Sequence, residues 1–192
     1  MAPEARDLHN LADEYHVVLD STQRSSLDSL PPLTEGPVGS GAVLIALEAK
    51  AAMTAHSKAR PRLYDELNSS QLTVHGASRQ ALAIGLVMVN VSETFISPDL
   101  NKGPQRSVVS KHKQPRATAT VIEKIREIPR RTNPAHHGFD GLGVVVVSAT
   151  NDGSTPVTLI RTAPAPQTGD ILHYDSMVTR MANEYDTTFT AI

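Results

Sequence analysis

The sequence contains no cysteine and no tryptophan, and aromatic residues make up only 4% of its 192 residues. Without cysteine the chain has no disulfide bond, no thiol nucleophile and no thiolate ligand for zinc. No apolar run approaches the ~20 residues that a membrane-spanning helix needs, and residues 1–10 include acids where a signal peptide has its apolar core. These absences predict a cytoplasmic protein with no membrane partner.

The composition is that of a globular protein, with 40% hydrophobic and 20% charged residues. A chain of this length is long enough for one well-packed core, and no shift in composition divides it cleanly. We therefore predict a single domain over residues 1–192. It would comprise a core over about 1–92, a basic loop and helix over 93–131, and C-terminal strands and a helix over 132–192.

An apolar run over residues 42–51 carries an acid and a base two positions apart, Glu48 and Lys50. The run predicts a buried strand, in which side chains two residues apart point to the same face. Val43, Ile45 and Leu47 then lie on the other face. Because Glu and Lys are rarely buried unless they are paired, their presence at the end of a core strand indicates a chemical role.

A divalent metal and a phosphate would together explain this pair of charges. Mg²⁺ takes carboxylate oxygens as ligands, and an ammonium beside it can orient water toward a phosphorus atom and stabilise the charge that develops there. Mn²⁺ is the expected substitute. The alternative interpretation is a salt bridge between Glu48 and Lys50 at the end of a strand.

The residues after the run predict a second strand beside the first. Leu63 and Leu67 form the inward pair of a helix over about 57–70, and residues 81–91 are apolar on both faces, as in a central strand. A strand, a helix and a strand in this order predict a parallel strand pair.

Three cations, Lys58, Arg60 and Arg62, lie near the predicted start of this helix. Backbone N–H groups at a helix N-terminus favour an anion, so cations are unfavourable there unless a phosphate binds. His56 is interpreted either as a residue that moves a proton or contacts a phosphate, or as an exposed loop residue. The pattern predicts that nucleic acid passes beside the strand end.

Glu48-Ala49-Lys50 at the end of an apolar strand, followed by a helix and a second apolar strand, resembles the PD-(D/E)XK nuclease superfamily, which includes many restriction endonucleases. The resemblance covers about residues 28–91. It implies an α/β fold with a restriction-endonuclease-like core, in which helices flank a mixed central sheet. It also implies Mg²⁺-dependent hydrolysis of DNA, with Glu48 as a metal ligand and both Glu48 and Lys50 as catalytic residues.

The family pattern also expects an acid on a neighbouring strand, and Asp20, Asp28 and Glu35 compete for this role. Glu35 lies closest to the turn before the main strand and is the first choice as a catalytic and metal-binding acid. Asp28 has the family's usual residue type and is the second candidate metal ligand. Asp20 follows an amphipathic helix predicted over residues 4–19. The chain has no Pro-Asp dipeptide, which departs from the family pattern.

Basic residues are concentrated in one segment, since residues 102–131 hold nine Lys or Arg and two acids in a chain of net charge −2. Such a segment is typical of surfaces that contact phosphate backbones. The predicted DNA-binding residues are Arg60, Arg62, Lys111, Lys113 and Arg116. No aromatic residue lies between positions 101 and 133 to stack on bases, which favours duplex DNA over single strands. The alternative is a solvated basic loop.

The last third of the chain predicts a helix that starts near Thr118 or Thr120, a buried strand over 142–147 and a return strand over 157–160. A final helix follows. Its predicted inner stripe comprises Ile171, Tyr174, Val178, Met181 and Tyr185.

Three functional hypotheses follow from these patterns. The first is a metal-dependent endonuclease that cuts duplex DNA, as a homodimer because two strands require two active sites. The second is a nucleic-acid-binding protein with the same fold and an incomplete metal site. The third is a structural or interaction protein in which Glu48 and Lys50 form a salt bridge.

Overall fold

The computed structural model describes residues 5–6, 18–28, 33–34, 43–102 and 108–189. The chain forms two compact units, Met1–Ala42 and Val43–Ile192. In the first unit, strand β1 (Ala5–Arg6) pairs antiparallel with β2 (Leu33–Thr34), and helix α1 spans Ser21–Asp28. The helix predicted over 4–19 is therefore wrong at residues 5–6, which form a strand, and at residues 18–19, which are not helical.

In its described residues, the second unit contains the larger sheet and three α-helices. Its elements are β3 (Ile45–Ala52), α2 (His56–Ala77), β4 (Leu82–Asn90), β5 (Thr94–Phe95), a 3₁₀ turn (Pro98–Leu100), β6 (Ser110–Lys111), α3 (Arg116–Arg126), β7 (Gly141–Ser148), β8 (Thr158–Ile160) and α4 (Tyr174–Phe189). In the described part of the chain, no helix is both long enough and apolar enough to cross a membrane.

The main sheet has the strand order β3-β4-β7-β8. Strands β3, β4 and β7 run parallel, and β8 pairs antiparallel with β7. The prediction of an α/β protein with a mixed sheet and flanking helices is confirmed. The parallel pair that was predicted from the strand–helix–strand pattern is present as β3 and β4, in a register that places Glu48 opposite Gly85.

Helices α2 and α3 pack on one face of this sheet and form the core with it. The predicted inward pair Leu63 and Leu67 is buried, as are Val121 and Ile125 of α3. They pack into one cluster with β-strand residues such as Val87, Val89, Leu142 and Val144. The i, i+4 spacing of the apolar residues places them on one side of each helix, and this side faces the sheet.

On the opposite face of the sheet, α4 packs against the glycines of β7. A Cβ atom at Gly141 would lie 2.7 Å from Met181, and one at Gly143 would lie 2.8 Å from Met177. The absent side chains allow the helix to approach the strand closely. The predicted inner stripe of this helix is therefore mostly wrong.

Of the five residues in that predicted stripe, Met181 is buried. The other four are at least 36% exposed: Ile171, Tyr174, Val178 and Tyr185. The helix is rotated so that its methionines fill the space above the glycines.

Edge strand β3, which was predicted to be buried, is exposed on its apolar face. Val43, Ile45 and Leu47 are 53%, 45% and 60% exposed. The face that carries Glu48 and Lys50 lies under α2, which supplies polar partners for both residues. The apolar run is therefore not a strand that is buried on both sides.

A buried ion pair joins the segment before β7 to the start of β4. Arg131 is 8% exposed and donates to Asp140 Oδ1 at 2.6 Å and to the carbonyl oxygens of Arg79 and Ala81 at 3.0 and 2.8 Å. The other carboxylate oxygen of Asp140 accepts from the Ala83 N–H at 2.8 Å. Arg131 is thus a structural residue, although the sequence analysis included it among the nine cations of the basic segment.

Two buried histidines predict a loss of stability in mild acid. Burial holds the pKa of His56 and of His75 below the ordinary value of 6.5. The unfolded chain therefore binds protons that the folded protein does not, and stability falls as the pH drops through the unfolded pKa. We expect a lower urea midpoint at pH 5 than at pH 7, and a smaller difference in His75→Gln. Exposed His136→Gln is the control, and equal wild-type midpoints would contradict the prediction.

Candidate active site and basic cleft

The acid–base pair on β3 is part of a cluster of three charges. Lys50 Nζ lies 2.8 Å from Glu48 Oε1 and 3.2 Å from Oε2 of Glu66, which is on α2. Ser70, one turn further along the helix, donates to the other oxygen of Glu48 at 3.1 Å. The three charged side chains are 30–40% exposed. The cluster is therefore both held by the helix and open to solvent.

The contacts keep both members of the pair charged. The hydrogen bond from Lys50 lowers the pKa of Glu48, and the hydrogen bonds to Glu48 and Glu66 raise the pKa of Lys50. Lys50 is therefore an ammonium at neutral pH, which suits it to stabilise negative charge and not to act as a general base.

The cluster offers two carboxylates to a metal. Oxygens of Glu48 and Glu66 lie within two hydrogen-bond lengths of each other because both contact Lys50 Nζ. This oxygen donor set fits Mg²⁺. Within the residues that the structure describes, no third carboxylate or histidine completes a metal-binding group with them. Glu66 was not identified from the sequence, because the rotation of α2 about its own axis, which turns Glu66 toward β3, depends on the packing of the folded chain.

The three upstream acids have different outcomes. Glu35, the first choice, lies outside the described residues. Asp28 is the last residue of α1, and its side chain lies outside the described part of the structure. Asp20 begins α1: its Oδ1 accepts from the Gln23 N–H at 2.8 Å, and its own N–H donates to Gln23 Oε1 at 2.9 Å. These reciprocal hydrogen bonds make Asp20 the N-terminal cap of α1.

A basic cleft opens where β3 ends. Its volume is about 820 Å³, and its walls come from the β3–α2 turn, the first turns of α2 and α3, and the segment around β6. The turn places Ala55 at φ 50°, in the left-handed region, directly before the helix. The N-termini of two helices therefore border one cavity, and each contributes the positive end of a helix dipole.

Five cations line the cleft, and no acid does so among the residues that the structure places there: the cations are Lys58, Arg60, Lys111, Lys113 and Arg116. Four of the five predicted DNA-binding residues are thus brought together. The exception is Arg62, whose Nε lies 3.7 Å from a carboxylate oxygen of Glu66. An excess of cations at two helix N-termini creates a strongly positive potential, which attracts phosphate.

Cations in the C-terminal part of the basic segment have other partners. Lys124 pairs with Glu127 at 2.6 Å, and Arg126 forms two hydrogen bonds of 2.9 Å with the carboxylate of Asp170. Arg131 is buried in its ion pair with Asp140. The sum of nine cations and two acids over residues 102–131 therefore overstates the charge that is available to a ligand, which comes mainly from the N-terminal part of the segment.

Two histidines form the floor of the cleft. His56 Nε2 lies 2.8 Å from the carbonyl oxygen of Asn90, and His112 Nδ1 lies 2.8 Å from that of Ser92. The rings meet edge to face at 4.7 Å. His112 Nε2 lies 3.0 Å from the hydroxyl of Thr54. His56 is 4% exposed, so the interpretation of it as an exposed loop residue is wrong.

Asn90, which the sequence analysis did not single out, holds the walls of the cleft together. Its side-chain amide donates to the carbonyl oxygens of Met53 and Ala149 at 3.0 and 2.8 Å. Its side-chain oxygen accepts from the N–H groups of Ser92 and Ala149. Every hydrogen-bonding group of this fully buried amide is therefore used, and one residue ties together the C-terminal ends of β3, β4 and β7.

The backbone oxygen of Asn90 fixes the two helices that begin at the cleft. It accepts hydrogen bonds from His56 at the start of α2, and from Gln114 and Thr118 at the start of α3. Thr118 was predicted as a helix cap. Instead it lies inside the helix, which starts at Arg116, and its hydroxyl contacts the strand end.

The charged cluster and the basic cleft belong to the same strand–helix unit. Lys50 precedes Thr54 by four residues, which corresponds to roughly 13 Å along an extended chain. A polymer held by its phosphates in the cleft could extend over this distance to the cluster. Comparisons of the chain with known protein families, curated proteins and solved structures found no match.

Proposed function

We propose that this protein is a metal-dependent endonuclease that hydrolyses phosphodiester bonds in duplex DNA, with a restriction-endonuclease-like core. The observation that carries the proposal is the convergence of Glu48, Lys50 and Glu66 beside a cleft lined by five cations. Two carboxylates and an ammonium suit phosphodiester chemistry, and the cleft suits the DNA backbone. The resemblance of Glu48-Ala49-Lys50 to the PD-(D/E)XK pattern supports the same function.

Each residue has a role that follows from its position. Glu48 and Glu66 would hold Mg²⁺, and the ion would supply Lewis-acid activation. Lys50 stabilises negative charge that develops on the phosphate oxygens. Lys58, Arg60, Lys111, Lys113 and Arg116 bind flanking phosphates and position the strand. A cut through both strands requires two such sites, which is the basis for proposing a homodimer.

The test of this proposal is Mg²⁺-dependent nicking of supercoiled plasmid DNA. Glu48→Gln keeps the size of the side chain but removes its charge, so we expect weaker Mn²⁺ binding by calorimetry and at least a hundredfold slower nicking, on the order of the loss of a group that stabilises the transition state. Glu127→Gln removes a carboxylate from the surface of the protein and should leave both quantities unchanged. Wild-type Mn²⁺ affinity in Glu48→Gln would refute the metal assignment.

The basic cleft is tested by the salt dependence of DNA binding. Each neutralised phosphate releases counterions, so replacing Lys111, Lys113 and Arg116 together by alanine should lower the slope of log affinity against log salt by about 1 for each phosphate that is no longer neutralised. Affinity should fall alike for all sequences. Lys124→Ala, which removes a cation paired with Glu127, should leave the slope unchanged. An unchanged slope in the triple variant would show that the cleft does not hold DNA.

A nucleic-acid-binding protein without catalysis is the second candidate. The observation that favours it is that Lys50 already forms ion pairs with both carboxylates in the cluster, where a metal ion would otherwise bind. Metal titration discriminates between the two functions, because a protein that only binds DNA would show the salt dependence described above but neither Mn²⁺ binding nor nicking.

A further inference from the structure

A second cavity lies at the end of the main sheet that is opposite to the basic cleft. Its volume is about 750 Å³, and its lining includes Leu82, the first residue of β4, and Asp140, which directly precedes β7. Strand β4 extends over roughly 26 Å from Leu82 to Asn90, where the basic cleft is held together. The two cavities have no described lining residue in common. The second cavity is therefore a separate site.

Two arginines line this cavity, which we call the arginine pocket: Arg130, which follows α3, and Arg180 on α4. Arg130 is half-buried, and in the described part of the chain its guanidinium has one hydrogen bond, to the carbonyl oxygen of Ile171 at 3.3 Å. Ile171 also lines the pocket, so this contact places the guanidinium at the pocket wall. Neither arginine forms an ion pair with a described carboxylate. Most of their N–H donors therefore remain available to a ligand.

The surroundings of Arg130 disfavour its positive charge. Burial is the main cause that lowers the pKa of Arg130, and the charges of Arg180 and Arg126 lower it further. Asp170 acts in the opposite direction, but its carboxylate is held by Arg126 through two hydrogen bonds of 2.9 Å. A guanidinium nevertheless stays charged at neutral pH, so an anion bound in the pocket would compensate this charge.

The lining of the arginine pocket defines the charge and the polarity of its ligand. The described charged residues of the lining are three arginines and two acids, which leave a net charge of +1: Arg130, Arg131, Arg180, Asp140 and Glu184. Since Arg131 and Asp140 are paired with each other, a ligand meets two cations and one acid. Leu82, Ile171 and Met181 add apolar surface to the lining. The pocket therefore suits a ligand with one negative charge and an apolar part.

We propose that the arginine pocket binds a small organic monocarboxylate whose remaining part is apolar. The planar fork of a guanidinium matches the two oxygens of a carboxylate, and a cavity of this size lies in the range of small-molecule sites. A phosphate monoester carries up to two charges at neutral pH, and Glu184 would oppose the second. The proposal goes beyond the nuclease function and does not depend on it.

The test compares three ligands of similar shape on the full chain by equilibrium dialysis: 2-naphthoate, the neutral 2-naphthamide and 2-naphthyl phosphate. We expect 2-naphthoate to bind about tenfold more tightly than 2-naphthamide, the effect of one charge-assisted hydrogen bond, and at least as tightly as 2-naphthyl phosphate. Equal affinity for naphthoate and naphthamide, or no binding of either, would overturn the proposal. Tighter binding of the phosphate would overturn the assignment to a carboxylate.

Two variants of exposed residues locate the site. Arg180→Ala should weaken naphthoate binding about tenfold, because it removes a charged donor from the pocket. Glu184→Gln removes the opposing charge and should tighten binding by about two- to fivefold, the size of a surface charge interaction. Arg161→Ala, which removes an exposed arginine that does not line the pocket, is the matched control and should bind like the wild type. Wild-type affinity in both pocket variants contradicts the proposal.

A competition experiment separates the arginine pocket from the basic cleft. Saturating duplex DNA should not displace 2-naphthoate, and the triple alanine variant of Lys111, Lys113 and Arg116 should keep its affinity for naphthoate while it loses affinity for DNA. Displacement by DNA, or loss of naphthoate binding in the triple variant, would place the carboxylate in the basic cleft and overturn the proposal.

Discussion

Lys50→Ala is expected to slow DNA cleavage at least a hundredfold while changing the dissociation constant for DNA less than threefold, on the order of the loss of one group that acts mainly in the transition state. The ammonium lies between two carboxylates and outside the basic cleft, so it contributes little to holding the backbone. Single-turnover cleavage and anisotropy in EDTA measure the two quantities separately.

The matched control is Lys124→Ala, because Lys124 is also ion-paired and has a similarly exposed side chain, 33% against 30%. It should cleave at the wild-type rate. If Lys50→Ala loses binding and cleavage in equal proportion, Lys50 is a structural residue that bridges Glu48 and Glu66, and the catalytic assignment fails.

Arg131→Met is expected to lower the free energy of unfolding by about 3–5 kcal/mol, the range for breaking a buried ion pair. The change leaves the largely buried carboxylate of Asp140 without its counter-charge and removes the donors to the carbonyl oxygens of Arg79 and Ala81. Urea unfolding followed by far-UV circular dichroism gives the free energy directly.

A second substitution shows whether the charge is the cause. The double variant Arg131→Met with Asp140→Leu no longer contains the unpaired carboxylate. Its loss in free energy of unfolding should therefore be smaller than the sum of the losses in the two single variants. Arg161→Ala is the control for deletion of an exposed arginine and should change stability by less than about 0.5 kcal/mol. A loss below about 1 kcal/mol in Arg131→Met would contradict the structural role of the ion pair.

The central strands and the crossover helix could be predicted because each is encoded by neighbouring residues. The apolar run before Asn90 and the run around Val144 give parallel strands, and β8 returns as expected after the turn that follows β7. Helix α2 was predicted too short, to about residue 70 instead of Ala77. Its last turns bury polar residues, since Gln71 accepts from the Gly138 N–H and His75 contacts Asp140. An apolar pattern does not detect such a segment.

The features that could not be predicted depend on partners distant in sequence. Glu66 joins Lys50 only because of the rotation of α2 above β3, and Arg126 is paired with Asp170, which lies 44 residues further along the chain. A charge sum over a segment treats every side chain as free. Local sequence therefore predicted where a basic surface begins but not which of its residues remain available to a ligand.

The hydrogen bonds of Asn90 also determine when the cleft can form during synthesis. Its amide joins Met53 to Ala149, residues almost a hundred positions apart, and such distant contacts form only after the intervening chain has closed into a loop. A ribosome releases the segments around His56 and Lys113 well before Ala149 emerges. A nascent chain that stops short of β7 should therefore have most of the basic residues but no assembled cleft, and DNA binding should appear only when the third parallel strand has been added.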